Sequence, residues 1–324
     1  MYTGTTGFSS LPFKVLVTDP VDEEFIKKVS DKAEVEVTLK LTREELLEKV
    51  KDVDALVVRS RTKVTREVID SARRLKVIVR AGVGVDNIDV KAAFEKGVQV
   101  INTPKAPAVS VAELTIGFML ALARGIVRLN EATKNGTWLK GEMGIELNGK
   151  VLGLIGLGSI GSEVARLAKA FGMKVQAYDP YVPPEHADRL SVKLVSLEEL
   201  LRTSDFISIH VPLTPETKGL IGRDELNIVK NGAFLINTAR GGVVDEAALY
   251  EALKNGKLAG AALDVFEREP PPPDHPLFKL DNVILTPHIG GSTDGAQLRI
   301  ALTMAEDLLR VIRGEKPLNV VKAI

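Results

Sequence analysis

Val151-Leu152-Gly153-Leu154-Ile155-Gly156-Leu157-Gly158-Ser159-Ile160-Gly161 decides the fold, and Asp179 completes the signal by closing the next apolar run, Val175 to Tyr178. An isolated Gly-x-Gly-x-x-Gly is weak, because glycine recurs in many turns. Here it lies where a strand should end and a helix over 159–171 should begin, with an acid at the end of the following strand. Gly156 permits the tight turn, Gly158 lets a pyrophosphate approach the backbone, and Gly161 lets helix and sheet pack closely. The first amides of the helix, at Ser159 and Ile160, face the phosphates with the helix dipole behind them. Asp179 accepts hydrogen bonds from a ribose and repels a 2′-phosphate, so the pattern predicts NAD rather than NADP. The plainer reading is a strand-turn-helix without a ligand.

The rest of the chain continues the alternation of β-branched runs and amphipathic stretches. Ahead of the fingerprint, strands are expected at 14–18, 34–38, 54–58, 76–79 and 98–101, with helices at 22–31, 42–50, 65–71 and 89–96. One long helix from about Pro107 to Lys134 follows, with Pro107 in its first turn. After the fingerprint, strands are expected at 174–178, 205–209, 232–236, 258–263 and 283–286, and a last long helix at 292–313. The reading is α/β with two doubly wound parallel-sheet domains. The last helix returns to the first domain, which becomes discontinuous: residues 1–104 and 292–324 bind substrate, and 105–291 bind the nucleotide. No sequence repeat relates the two halves.

At 324 residues the chain suffices for two ordinary domains, and 45% apolar with 27% charged residues is the balance of a water-soluble protein. Net charge is zero, which removes a broad basic face for nucleic acid. There is no cysteine, so disulfides, thiolate nucleophiles and Cys-ligated zinc are excluded, in keeping with a reducing compartment. His186, His210, His275 and His288 show no metal-ligand spacing, so no metal is expected. The uncharged stretch within 111–127 is too short for a bilayer, and no membrane partner is expected. The first twelve residues lack a basic start and an apolar core. They are expected as a loose tail, and the cytoplasm as the compartment.

In open parallel sheets, ligands gather beyond the carboxyl ends of the strands. Those ends present Arg59-Ser60-Arg61-Thr62-Lys63, Arg80-Ala81-Gly82-Val83-Gly84, Asn237 to Gly242 with Arg240, Asp264 followed by Glu269, and Pro287-His288. Oxidising an alcohol with NAD needs a base, and His288 is the histidine at a second-domain strand end beside glycines. A satisfied structural histidine is the alternative. Glu269 is placed to hydrogen-bond His288 and hold its tautomer, or else is a solvated loop glutamate. Arg240 offers a planar fork for a carboxylate, or is a surface arginine. Asp264 ranks below these three, since it also suits a structural tie. His210 reads as a pocket wall. Arg59 and Arg80, with Lys63, argue for a substrate bearing more than one negative charge. The amides near Val83 and Gly84 suit an anion, or form a plain turn.

These segments resemble the D-isomer-specific 2-hydroxyacid dehydrogenases from about Lys14 to Gly314. The resemblance rests on the fingerprint, on Asn237-Thr238-Ala239-Arg240-Gly241-Gly242, on Ala262-Leu263-Asp264-Val265-Phe266 through Glu269-Pro270, and on Pro287-His288-Ile289-Gly290-Gly291. It implies a Rossmann NAD-binding domain inserted in a flavodoxin-like substrate domain. Arg240 would bind the substrate, His288 act as acid and base, and Glu269 support it. Further NAD contacts are implied at His210, Pro212, Thr217, Thr238, Ala239, Asp264 and Gly290.

Within the family, Val58 to Val64 and Val79 to Asn87 look like the phosphate-side segments of members that oxidise 3-phospho-D-glycerate to 3-phosphohydroxypyruvate, the entry to serine synthesis. That assigns Arg59, Ser60, Lys63, Arg80, Val83 and Gly84 to a phosphorylated 2-hydroxy acid. A homodimer is implied, built through the nucleotide domain. The alternatives are a hydroxypyruvate or glyoxylate reductase of the same family, and a non-catalytic NAD-binding corepressor. Lys105 to Ser110 departs from the family turn, since Pro107 lacks an amide donor and Lys105 adds charge. Feedback by serine through a further regulatory domain is not expected.

Overall fold

The computed structural model describes residues 12–322, so the expected tail lies, Pro12 apart, outside the described residues. The chain divides into two compact units, Met1–Pro107 with Asp294–Ile324, and Ala108–Thr293. The boundaries fall slightly beyond the expected 104/105 and 291/292, for a local reason. The Thr103 amide donates to Gly82 O and Arg299 Nε donates to Ala106 O, which holds 103–106 in the first unit. Thr293 Oγ1 donates to Ser110 Oγ, which holds Thr293 in the second.

The first unit is a five-stranded, all-parallel sheet of β1 (Lys14–Val17), β2 (Glu34–Val37), β3 (Ala55–Val58), β4 (Val77–Arg80) and β5 (Gln99–Ile101), in the order β2-β1-β3-β4-β5. That is the flavodoxin-like order. Period-two alternation splits the strands cleanly. Val15, Val17, Ala55, Val57, Val77 and Val79 pack with Phe25 of α1 (Glu23–Ser30) and with Ala301, Met304 and Leu308 of α12 (Asp294–Ile312). Leu16, Leu56, Val58 and Ile78 face the other way, onto Leu46 of α2 (Arg43–Lys49) and Val68 of α3 (Arg66–Ser71). With α4 (Val90–Glu95), helices cover both faces, as a parallel sheet requires.

The second unit is a seven-stranded parallel sheet, β12-β11-β10-β9-β6-β7-β8. Its strands are β6 (Val151–Ile155), β7 (Lys174–Tyr178), β8 (Lys193–Leu194), β9 (Phe206–Ile209), β10 (Ala233–Asn237), β11 (Leu258–Leu263) and β12 (Val283–Leu285). The order reverses between β6 and β9, the switch point at which a doubly wound sheet opens its ligand crevice. One core joins Leu152, Leu154 and Phe206 to Ile116 and Met119 of α5 (Ala108–Arg124) and Val164 and Ala168 of α7 (Ser159–Ala170). The other joins Ile155, Ile207 and Leu235 to Leu200 of α9 (Leu197–Thr203), Leu226 of α10 (Arg223–Ile228) and Leu249 of α11 (Glu246–Lys254).

The single helix expected over 107–134 is two helices, α5 and α6 (Ile126–Lys134), meeting at 61°. Gly125 breaks it by taking a left-handed conformation, φ 60°, which glycine adopts without a Cβ clash. Among the described residues no single helix is long and apolar enough to cross a membrane.

The amino ends of the strands repeat one device in both units. Asp54, just before β3, accepts the Lys14 amide at 3.0 Å and pairs with Arg74 at 2.8 Å. Asp205, just before β9, accepts the Val151 amide at 2.9 Å and pairs with Lys230 at 2.7 Å. Burial pushes the Asp205 carboxyl up, but Lys230 and the Val151 amide outweigh it and hold it below the usual range.

Gly153 in β6 makes a close helix-sheet contact in this core. A Cβ there would lie 2.2 Å from Ser204 Oγ and 2.6 Å from Leu200 Cδ2. Gly153→Ala is expected to lower stability by about 1–3 kcal/mol through overpacking, read as a lower denaturant midpoint at unchanged m-value. An unchanged midpoint would show that α9 shifts without cost.

Candidate active site

The glycines of the fingerprint are held by sterics on this backbone. Gly156 is left-handed (φ 97°), and a Cβ on it would lie 2.8 Å from His210 O. A Cβ on Gly161 would lie 2.2 Å from Gly156 O, so only glycine allows α7 to start so close to the turn. Gly158 is exposed, with nothing within 4 Å of a Cβ position. No side chain caps α7, so its first amides at Ser159 and Ile160 adjoin that open face. A left-handed turn, a close approach and an uncapped helix start together fit a dinucleotide's phosphates.

Asp179 is more engaged than its sequence position implies. Its Oδ2 accepts the Leu157 amide at 2.8 Å, and its Oδ1 accepts the amides of Tyr181 and Val182 at 2.9 and 3.1 Å. Of about four lone-pair positions on a carboxylate, roughly one is left for a ribose hydroxyl. The same bonds fix the acid against the glycine turn.

His210 follows β9 with its ring inside. Nε2 bonds Ser208 Oγ at 2.9 Å, while Nδ1 is buried without a partner. Burial lowers its pKa to about 3, so the imidazole is neutral across the working range. Pro212 and Thr217 belong to the exposed loop after it, cross-tied by Thr217 Oγ1 to Pro212 O at 2.6 Å. Thr238 and Ala239 follow β10, and Thr238 Oγ1 bonds Thr115 Oγ1 at 3.1 Å.

Asp264, at the end of β11, is 1% exposed. Its Oδ1 accepts the Thr286 hydroxyl at 2.6 Å and the Ile289 amide at 2.7 Å, and its Oδ2 accepts the Gly290 amide at 2.8 Å. The structural reading of Asp264 accounts for these bonds: it ties down the turn that presents His288. Gly290 O in turn accepts from Ser110 Oγ at 2.6 Å.

His288 stands on that turn in a left-handed conformation, φ 56°, with 45% of its side chain exposed. Its Nδ1 lies 2.8 Å from Glu269 Oε2. Burial pushes the Glu269 carboxyl up, but the His288 hydrogen bond and charge, the Phe266 amide and the Arg240 charge outweigh it. The net shift is downward. An ionised carboxylate is an acceptor only, so in the neutral ring Nδ1 carries the proton and Nε2 holds the lone pair. Arg240 Nη1 donates to Ala239 O at 2.7 Å, placing the fork at the end of β10. A cavity of about 400 Å³, lined by Phe266, Phe278, Leu285 and Pro287, adjoins Glu269 and His288.

In the first unit, the loop after β3 is wrapped around a buried acid. Asp19 accepts the amides of Arg59 (2.7 Å) and Thr62 (3.2 Å) and the Arg61 guanidinium (2.9 Å). Asn87 Nδ2 donates to Arg59 O and Thr62 O at 2.7 and 2.6 Å. Arg61 is thereby spent on the scaffold, while Arg59 is half-buried and Ser60 and Lys63 are exposed. Arg80, the last residue of β4, folds back over Gly82, where a Cβ would lie 1.7 Å from Nη1. Val83 and Gly84 are half-buried, and Val83 O accepts from Asn102 Nδ2 at 2.6 Å. Among the described residues no cluster of histidine and acidic side chains could hold a metal.

Two residues escaped the sequence reading. Gly241 holds the Arg240 turn against the next loop, since a Cβ there would lie 1.8 Å from Phe266 O. His275 lies 2.9 Å from Glu246 Oε2. Only the double glycine hinted at the first; a histidine in a proline-rich loop gave no signal for the second.

Residues 116–290 match the family model described as "D-isomer specific 2-hydroxyacid dehydrogenase, NAD binding domain". The chain is 57% identical over 310 residues to the D-3-phosphoglycerate dehydrogenase of Methanocaldococcus jannaschii, covering 95% of this chain and 59% of that relative. It thus spans about three-fifths of that relative's length. It is 50% identical over 302 residues to the hydroxypyruvate reductase of Thermotoga maritima, covering 92% of this chain and 98% of the relative. Among solved structures it resembles the D-lactate dehydrogenase of Aquifex aeolicus complexed with NAD and lactic acid. That match has a TM-score of 0.84 and 33% identity over 93% of this chain and 96% of that one.

His210 generates a prediction about acid stability. Its folded value, about 3, lies below its ordinary 6.5, so between the two the unfolded chain binds a proton that the folded chain refuses. Stability therefore falls as pH drops through 6.5 toward 3, by about 1.4 kcal/mol per pH unit from this residue. Unfolding free energies of wild type and His210→Gln, measured from neutral pH downward, should diverge with that slope. Parallel curves would refute it.

Proposed function

Since the chain belongs to the D-isomer specific 2-hydroxyacid dehydrogenase family and carries its NAD-binding domain, we propose that it oxidises 3-phospho-D-glycerate to 3-phosphohydroxypyruvate, the first step of serine synthesis. The observation that carries the reading is the Glu269–His288 hydrogen bond, with Arg240 close enough for its charge to act on Glu269. NAD, when bound, supplies the acceptor for the hydride that leaves the substrate carbon.

The proton is the work of His288. Its Nε2 takes the hydroxyl proton, and Glu269 holds Nδ1–H and stabilises the imidazolium that forms. Arg240, with the amides at Val83 and Gly84, takes the substrate carboxylate. Arg59 and Arg80, with Ser60 and Lys63, take the phosphate. Gly156 to Gly161 would hold the nucleotide's phosphates, Asp179 its ribose, and residues at the ends of β9, β10 and β11 would supply the remaining contacts. In this reading the second unit is the nucleotide domain and the first the substrate domain. A homodimer is supported by exposed apolar side chains in the α6 region, at Ile126, Trp138 and Met143, and the cytoplasm is the compartment assigned to it in this reading. A hydroxypyruvate reductase is the second reading, favoured by a relative of that name matched over 98% of its length.

NADH oxidation with 3-phosphohydroxypyruvate, hydroxypyruvate and glyoxylate decides between the two. The phosphorylated acid is expected to win in kcat/KM, and preference for the others would select the second reading. Arg80→Ala should raise KM for the phosphorylated acid about 10- to 100-fold, the worth of one charge-assisted hydrogen bond, and leave the unphosphorylated acids unchanged. His288→Ala should lower kcat about 10²- to 10⁴-fold. Oxidation needs a free lone pair on His288 Nε2, and reduction needs the proton there. Full turnover by His288→Ala would remove His288 from the mechanism.

A further inference from the structure

Glu269 is carried by a loop that a second histidine–glutamate pair holds from behind. Glu246, the first residue of α11, takes the Glu267 amide on Oε1 at 2.7 Å and faces His275 Nε2 with Oε2 at 2.9 Å. Both side chains are nearly buried, 14% and 10% exposed. His275 Nδ1 accepts the Leu277 amide at 3.4 Å, so Nε2 carries the proton given to Glu246. The start of α11 favours the charge on Glu246.

The His275 ring meets Phe266 at 5.7 Å and Phe278 at 5.4 Å between centroids. Both phenyl rings line the cavity beside His288. The Phe266 amide donates to Glu269 Oε1 at 3.2 Å. On its other side the Phe266–Glu267 peptide lies against Gly241, next to Arg240. One short segment, 266–267, therefore touches the Arg240 turn, the Glu246–His275 pair and Glu269.

We propose that Glu246 and His275 are positioning residues that set this segment so that Glu269 meets His288 and Arg240 keeps its place. The proposal rests on the catalytic reading above. Three carboxylates, at Glu246, Glu267 and Glu269, lie in this region, and His275 supplies the donor that satisfies Glu246 Oε2 in its nearly buried place. Without that donor the 266–269 segment loses its anchor, and the Nδ1–Oε2 geometry goes with it.

The test uses the full chain and the variants His275→Leu, Glu246→Gln and His275→Gln. Each is read by kcat, by KM for NAD and for the hydroxy acid, by thermal midpoint, and by the imidazole signals of histidine-labelled protein. With four histidines in the sequence, each signal is assigned by single replacement. His275→Leu and Glu246→Gln are expected to lower kcat about 10- to 100-fold, the cost of a misplaced reacting group, with KM for NAD unchanged and the His288 Nδ1–H signal shifted or lost. His275→Gln, which restores a donor to Glu246, should recover most of the rate. Folded variants with reduced thermal midpoints but wild-type kcat and an unmoved His288 signal would overturn the proposal. Wild-type protein inactive on every hydroxy acid would refute the catalytic reading instead, while the His288 signal would still test the positioning.

Discussion

The turn that presents His288, at the carboxyl end of the second sheet, hangs on one buried carboxylate. Asp264 is sealed from solvent, and an isolated carboxylate in that position would cost several kcal/mol. Three donors from Thr286, Ile289 and Gly290 satisfy it, and all three come from one short turn. The turn therefore cannot relax without exposing the charge to an unsatisfied interior. His288 lies between two of these anchors, so its backbone is fixed before its side chain meets Glu269.

The first unit uses the same physics. Asp19, also 1% exposed, follows β1 and gathers the Arg59–Thr62 loop as Asp264 gathers the His288 turn. Asp54 and Asp205 do the equivalent at the amino ends, each joining the first strand of its unit to the strand that follows in the sheet. Aspartates, buried at Asp19, Asp54 and Asp264 and half-buried at Asp205, thus tie down both ends of both sheets. The groups assigned to catalysis are arranged around these locks and are left half exposed.

The fold is legible because most strands are short apolar runs set between amphipathic stretches, and because the fingerprint marks the switch point. The two-residue β8, Lys193–Leu194, is too short to carry a period. The break at Gly125 leaves no sequence signal, because one glycine in an apolar run is compatible with a continuous helix. At the site, Arg240, Glu269 and His288 stood out because strand ends in parallel sheets collect ligand groups. The partners of Asp179 and Asp264 were invisible, since backbone amides carry no residue identity. His275 and Glu246 lie 29 residues apart and meet only through the folding of the 264–278 loop over α11.

The left-handed backbone at His288 narrows what evolution can place there. At φ 56°, most side chains with a Cβ pay about 1–2 kcal/mol, and asparagine, aspartate and glycine pay least. A lineage drifting from catalysis to mere nucleotide binding would lose the histidine most easily to one of these, keeping the turn and its Asp264 anchor. Valine or isoleucine would strain the turn itself. Among relatives that have left catalysis behind, an asparagine at this position would mark a scaffold retained, and a β-branched residue a turn already rebuilt.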